Sequence, residues 1–139
     1  KWRPRRFPPG QPKWGYQPFG AIAWLRWMEG SLRPPLKQFY RGDGDGTSDH
    51  GTFPVEVEGR YRIRARCETL SDVNGEGVAR YSSKIWANGD VEPADWDWVE
   101  TQTSDTALRS GGVALLAHHV DATFGDVTVG PLNAQIDAI

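Results

Sequence analysis

The residues best suited to chemistry are two alternating strings of cations and tryptophan. Arg62, Arg64 and Arg66 take every second position of RYRIRARCE, and Arg80, Lys84 and Trp86 do the same in RYSSKIWANG. In an extended chain such positions share one face. Two strands paired through these segments would present a basic platform with an aromatic plate. Indole faces stack on the CH faces of sugars, while cations take up hydroxyls and carboxylates. The pattern therefore suits an acidic polysaccharide or glycan surface. Trp96 and Trp98, in ADWDWVE, add a second aromatic pair that an extended backbone would place on one side. The same residues also describe a solvated sheet face whose arginine stems cover Trp86. A contact with another subunit is a third reading, because tryptophan and arginine mark protein interfaces.

Carboxylates supply the next candidates. Asp43, Asp45 and Asp49 space oxygens along GDGDGTSDHG, as the start of a calcium loop does. An EF-hand is rejected, since Pro54 stands where the twelfth-position glutamate belongs. A looser calcium site remains open beside the simpler reading of a turn. Glycosidase chemistry needs two carboxyls roughly 5 to 10 Å apart. Glu56 with Glu58 and Asp95 with Asp97 are the nearest pairs, and both read more simply as face charges. No G-x-S-x-G elbow is present, which excludes that hydrolase class. Cys67 alternates with core positions and reads as a small buried hydrophobe. His118 and His119 are adjacent, so on a strand they diverge and cannot chelate one ion. No catalytic residue is assigned.

Short strands must position these groups. GAIAWLRWME and Leu36 to Arg41 read as the first two. GDGDGTSDHG between residues 42 and 51 reads as an acidic loop. VEVEGRYRIRARCETL alternates cleanly, with Tyr61, Ile63, Ala65 and Cys67 on the face opposite the arginines. Asn74-Gly75 predicts a hairpin into VARYSSKIWANGD, and Asn88-Gly89 predicts the turn that closes it. Val113 to Ala117 and VDATFGDVTVGPL read as two final strands, with Phe124, Val127 and Val129 inside.

The 139 residues suit one domain. Sixteen glycines and ten prolines favour many short strands over a helix bundle. A formal charge of −2 argues against a polyanion binder as a whole. The lone cysteine excludes an intrachain disulfide. No run reaches the ~20 apolar residues of a membrane span. Residues 1 to 19 form a basic, proline-rich segment, read as an extended arm. Trp2, Phe7, Trp14 and Tyr16 would anchor it on a partner chain, and nucleic acid is the disfavoured partner. The sandwich proper is expected over 20–132, with a tail at 133–139. The chain reads as a segment or processed form of something longer.

The order of signals resembles the C-terminal half of concanavalin-A-like and laminin-G-like jelly rolls. The likeness rests on Lys84, Trp86, Gly89, Glu92, Pro93 and Trp96, on Gly111-Gly112-Val113, and on Phe124, Val127 and Val129. It spans roughly residues 55 to 130 and implies an all-β antiparallel sandwich. Such domains carry more strands before this region. Either those strands lie outside the chain, or residues 20 to 41 form a reduced set. The resemblance implies a carbohydrate-binding or adhesion module of a virion, phage or cell-surface appendage, with extracellular or virion-surface localisation. Calcium is optional and no cofactor is required. A purely structural assembly subunit is the alternative, and a glycoside hydrolase ranks below both.

Overall fold

A computed structural model describes residues 21–27, 33–41, 46–71, 77–103, 111–117 and 120–132. Six strands appear among them, and no helix. They are β1 (Ala21–Arg26), β2 (Leu36–Arg41), β3 (Gly46–Thr52), β4 (Tyr61–Ser71), β5 (Gly77–Ala87) and β6 (Trp98–Thr103). Two antiparallel three-stranded sheets result, ordered β1-β2-β3 and β4-β5-β6. The fold is an all-β sandwich that is incomplete. No helix among the described residues is long and apolar enough to cross a membrane.

The longest ladder is the one that alternation predicts. β4 and β5 pair from Tyr61↔Ala87 to Ser71↔Gly77, around the expected Asn74-Gly75 hairpin, whose residues lie outside the described ones. Gly89 turns at φ +103°, and the Asp90 amide donates to the Ala87 carbonyl at 3.1 Å, so the Asn88-Gly89 turn forms as read. β6 adds on the far side of β5.

The sheets meet through Phe39 of β2. Its ring centroid lies 5.2 Å from that of Tyr81 and 4.8 Å from that of Trp98. Phe39, Ala79, Tyr81 and Trp98 form the buried cluster, with Ala21 packed against it. Polar ties flank it. Lys37 pairs with Asp97 at 3.0 Å, and Ser48 donates to Glu100 at 2.7 Å.

Several expectations give way. The segment read as an acidic loop becomes β3 from Gly46 onward. Its polar side chains find partners on both faces: Ser48 reaches Glu100, and Asp49 accepts from Gln38. A bulge sets His50 and Gly51 opposite Lys37 alone, and Gly51 takes the φ of +77° that such an extra residue needs. VEVEG does not extend β4. Val57 and Glu58 form a turn, with Glu58 at φ +61°, and the Glu56 amide donates to the Tyr61 hydroxyl at 2.7 Å.

The apolar side of β4 is not buried as its alternation suggested. Ile63 is 63% exposed, and Ala65 and Cys67 are exposed with it. Phe39 reaches only as far as β5 and β6, and Phe53, just past β3, touches β4 at Tyr61 (ring centroids 5.5 Å apart), which leaves Ile63, Ala65 and Cys67 outside this cover. The two final strands are absent as well. Residues 111–117 and 120–132 contain no strand, and every one of them is exposed, Phe124, Val127 and Val129 included. An apolar run counts as a strand only when it pairs with another. Here none of the six strands pairs with this segment.

Candidate functional site

The ladder register places all but two of the candidate glycan residues on the outer face of the second sheet. Arg62 opposes Trp86, Arg64 opposes Lys84, and Glu68 opposes Arg80. β5 is central, so both its edges are paired, and Trp86 is only 8% exposed. The segment after β5 folds back across this face instead of running extended. As a result Trp96 and Trp98 part company. Trp98 enters the core, whereas Trp96 lies on the outer face between Arg66 and Lys84, at 4.8 and 5.0 Å from its ring centroid.

The cations of this face are engaged with one another's neighbours. Arg64 and Lys84 share Glu92 at 2.8 and 2.7 Å. Lys84 also donates to the Pro93 carbonyl at 2.5 Å. Arg66 and Arg80 share Glu68 at 3.1 and 2.7 Å. Arg62 donates to the Asn88 side-chain oxygen at 2.9 Å. The hydrogen bond from Arg80 holds the Glu68 carboxyl below its usual range, and the nearby charges of Arg66 and Arg80 act in the same direction. The reciprocal bond raises Arg80. On the opposite face Cys67 is exposed to solvent, yet neighbouring chain atoms partly desolvate its thiol, and this, followed by the charge of Glu68, pushes it up, so its thiolate is disfavoured.

The residues Lys84, Glu92, Pro93 and Trp96, quoted for their spacing, therefore converge on one ammonium group. Together they clamp the returning segment onto β5. Beside the clamp lies a shallow cleft of about 180 Å³ lined by Arg62, Trp86, Gly89, Asp90 and Glu92. That is smaller than the roughly 300 Å³ at which ordinary ligand pockets begin.

The remaining candidates are dispersed. Asp43, Asp45 and the arm residues Trp2, Phe7, Trp14 and Tyr16 lie outside the described residues, as do His118 and His119. Asp49 belongs to a strand and accepts from Gln38, so it is not a free loop ligand. No group of three metal-ligating side chains occurs among the described residues. Asp97 is held by Lys37 and by the Ile85 amide at 2.9 Å, a structural engagement.

One constellation escaped the sequence reading. Ser48, His50 and Glu100 meet between the sheets, with His50 stacked 5.4 Å from Trp98 and its Nε2 3.1 Å from the Glu100 carboxylate. The residue types suit a triad, but the wiring does not. A triad needs the nucleophile bonded to the base, and here serine and histidine both turn to the same carboxylate oxygen. The group fastens β3 to β6. Only the expectation of a strand at 46–52 could have found it.

Searches of protein-family models, curated proteins and solved structures find no match to the chain. What stands of the family resemblance is its coarser content, two antiparallel sheets packed as a β-sandwich.

Proposed function

We propose that this chain is a non-catalytic structural subunit of a multi-chain assembly, of the virion or surface-appendage kind. One observation carries the reading. The sandwich leaves the apolar side of β4 open at Ile63, Ala65 and Cys67, while the same chain holds Val113, Leu115, Leu116, Phe124, Val127 and Val129 exposed. Apolar surface in this amount on a small domain marks an interaction surface. The resemblance to concanavalin- and laminin-G-like domains supports an extracellular or virion-surface setting. The proline-rich start, with its aromatic anchors, suits an arm that orders on a neighbouring chain.

The test is the mass in solution of the whole chain, and of the chain without residues 1 to 20, by light scattering coupled to size exclusion. A discrete multimer supports the reading, and its collapse without residues 1 to 20 assigns the arm to the assembly. A whole chain that stays monomeric at high micromolar concentration, with a cooperative unfolding transition, refutes it.

Glycan binding on the outer face is the second reading. Arg62, Arg64, Arg66, Arg80 and Lys84 line this face, interspersed with Glu68 and Glu92, and Arg62 and Glu92 border the cleft. An acidic polysaccharide would suit such a row of cations. Arg62→Ala is the suitable control, because Arg62 is exposed whereas Trp86 is part of the packing. Binding to an acidic-glycan array that this variant abolishes would favour the second reading.

A further inference from the structure

Among the described residues sheet order makes β4 an edge, with no strand paired along its outer side. β4 is eleven residues long and its two faces differ in chemistry. Ile63, Ala65 and Cys67 line one side and are exposed. Arg62, Arg64 and Arg66 line the other.

Residues 120 to 129, VDATFGDVTV, carry the complementary pattern. Val120, Ala122 and Phe124 recur at every second position, and Val127 and Val129 do so one residue out of phase. Asp126, between the two sets, is one of two non-glycine residues with positive φ among the described ones, at +50°. A single left-handed residue is what a β-bulge uses to insert one position. With that insertion, Val127 and Val129 join the face of Val120, Ala122 and Phe124. Asp121, Thr123 and Thr128 fall on the other side. Paired along β4, the segment would lay its apolar face beside Ile63, Ala65 and Cys67 and set Asp121 alongside the arginine row. Apolar and opposite-charge cross-strand neighbours are the pairs that stabilise sheets.

We infer that β4 accepts residues 120–129 of a second copy of this chain as an added strand, which extends the second sheet to four strands and pairs its outer edge. The inference rests on the assembly reading and names its interface. Each copy then both gives and receives a strand, so the contact closes as a dimer or propagates as a ring or fibre according to the rotation it imposes. Among the described residues the segment pairs with no strand of its own chain and the outer edge of β4 has no strand beside it, and exchange between copies pairs both.

Cys67 is the only cysteine of the chain and lies on the apolar side of β4, so it reports on contact directly. Single cysteines are introduced along the segment in the full-length protein, and crosslinking under mild oxidation is read on non-reducing gels. Ala122→Cys, Phe124→Cys, Val127→Cys and Val129→Cys form one set, and Asp121→Cys, Thr123→Cys and Thr128→Cys the other. The expected result is interchain crosslinking confined to the first set and strongest at one or two positions, with the wild-type chain as background. Phe124→Asp combined with Val127→Asp is expected to dissociate the oligomer while leaving the β-sheet circular dichroism intact, since neither residue contributes to the core. If the oligomer persists at unchanged mass in that double variant, the strand-exchange inference is overturned and the assembly reading survives. Intrachain crosslinks in a monomer, or equal crosslinking by both sets, also overturn it. A wild-type chain that never leaves the monomer overturns both.

Discussion

Lys84→Met asks whether the most buried cation of the outer face is a clamp or a ligand-binding group. The lysine side chain is only 7% exposed, and its ammonium group touches Glu92, the Pro93 carbonyl and the face of Trp96. Methionine keeps the unbranched stem and its contact with the indole but removes the charge. A hydrogen bond to a charged group contributes about 1.5 to 3 kcal/mol. Stranding the partner of a buried pair costs more, about 3 to 5 kcal/mol. That higher range is not reached here, because Arg64 still holds Glu92 at 2.8 Å. A loss of about 2 kcal/mol follows. With a urea slope near 1.5 kcal/mol per molar, the unfolding midpoint should fall by roughly 1 M. Tryptophan fluorescence and far-ultraviolet circular dichroism should report it together, with Trp96 more solvent-exposed before unfolding. A midpoint lowered by less than about 0.3 M, with unchanged emission, would refute the clamp and release Lys84 for a ligand.

Three further outcomes follow from the packing and the charge network. Phe39→Ala removes the ring that joins the sheets and should cost about 3 to 5 kcal/mol; a smaller loss than 1 kcal/mol in urea unfolding would mean that the sheets do not meet through it. Glu58→Gly relieves a left-handed residue in an exposed turn and should stabilise by roughly 0.5 to 1 kcal/mol after the added freedom of the unfolded chain is counted, so a lowered melting temperature would contradict the observed φ of +61°. Glu68 has a folded pKa below its ordinary value of 4.5, so its contribution is complete above that pH and is lost as pH falls through the lower folded value. The stability gap between wild type and Glu68→Gln should therefore be constant near neutrality and close in acid, and a gap that widens below pH 4.5 would reverse the assigned sign.

Alternation in RYRIRARCE and RYSSKIWA was enough to place β4, β5 and the partition of their faces, because period-two patterning survives whatever covers the sheet. It could not say which face is covered. That depends on how far the other sheet reaches, and Phe39 stops at β5 and β6. Composition misled at 46–52, where glycine, serine and aspartate suggest a turn. The strand there is held by long-range partners, Gln38 beneath and Glu100 across, which no local window contains. The same limit separated Trp96 from Trp98: their spacing is that of a strand, but the bends at 94, 95 and 97 turn the chain before β6 begins. The clamp residues were legible as a motif, although the spacing was read as a likeness to sugar-binding domains and not as a set of contacts with Lys84.

The two departures at the sheet margins have a common cause. A central strand with a lysine, two serines and a tryptophan buried along it needs cover on both faces. On the outer face the chain supplies that cover itself, by folding residues 90 to 97 back and neutralising Lys84 with Glu92. On the inner face the first sheet supplies it through Phe39 and His50, and Phe53 beyond β3 reaches β4 at Tyr61, so the cover stops short of Ile63, Ala65 and Cys67. The apolar residues that could pair with the free edge of β4, from Val120 to Val129, are present in the chain and exposed. They carry the right alternation and a residue at Asp126 already in the conformation a bulge requires. If a second copy supplies that strand, stability grows with the logarithm of protein concentration. The unfolding midpoint should accordingly rise with protein concentration, whereas a self-sufficient monomeric sandwich would show none of that dependence.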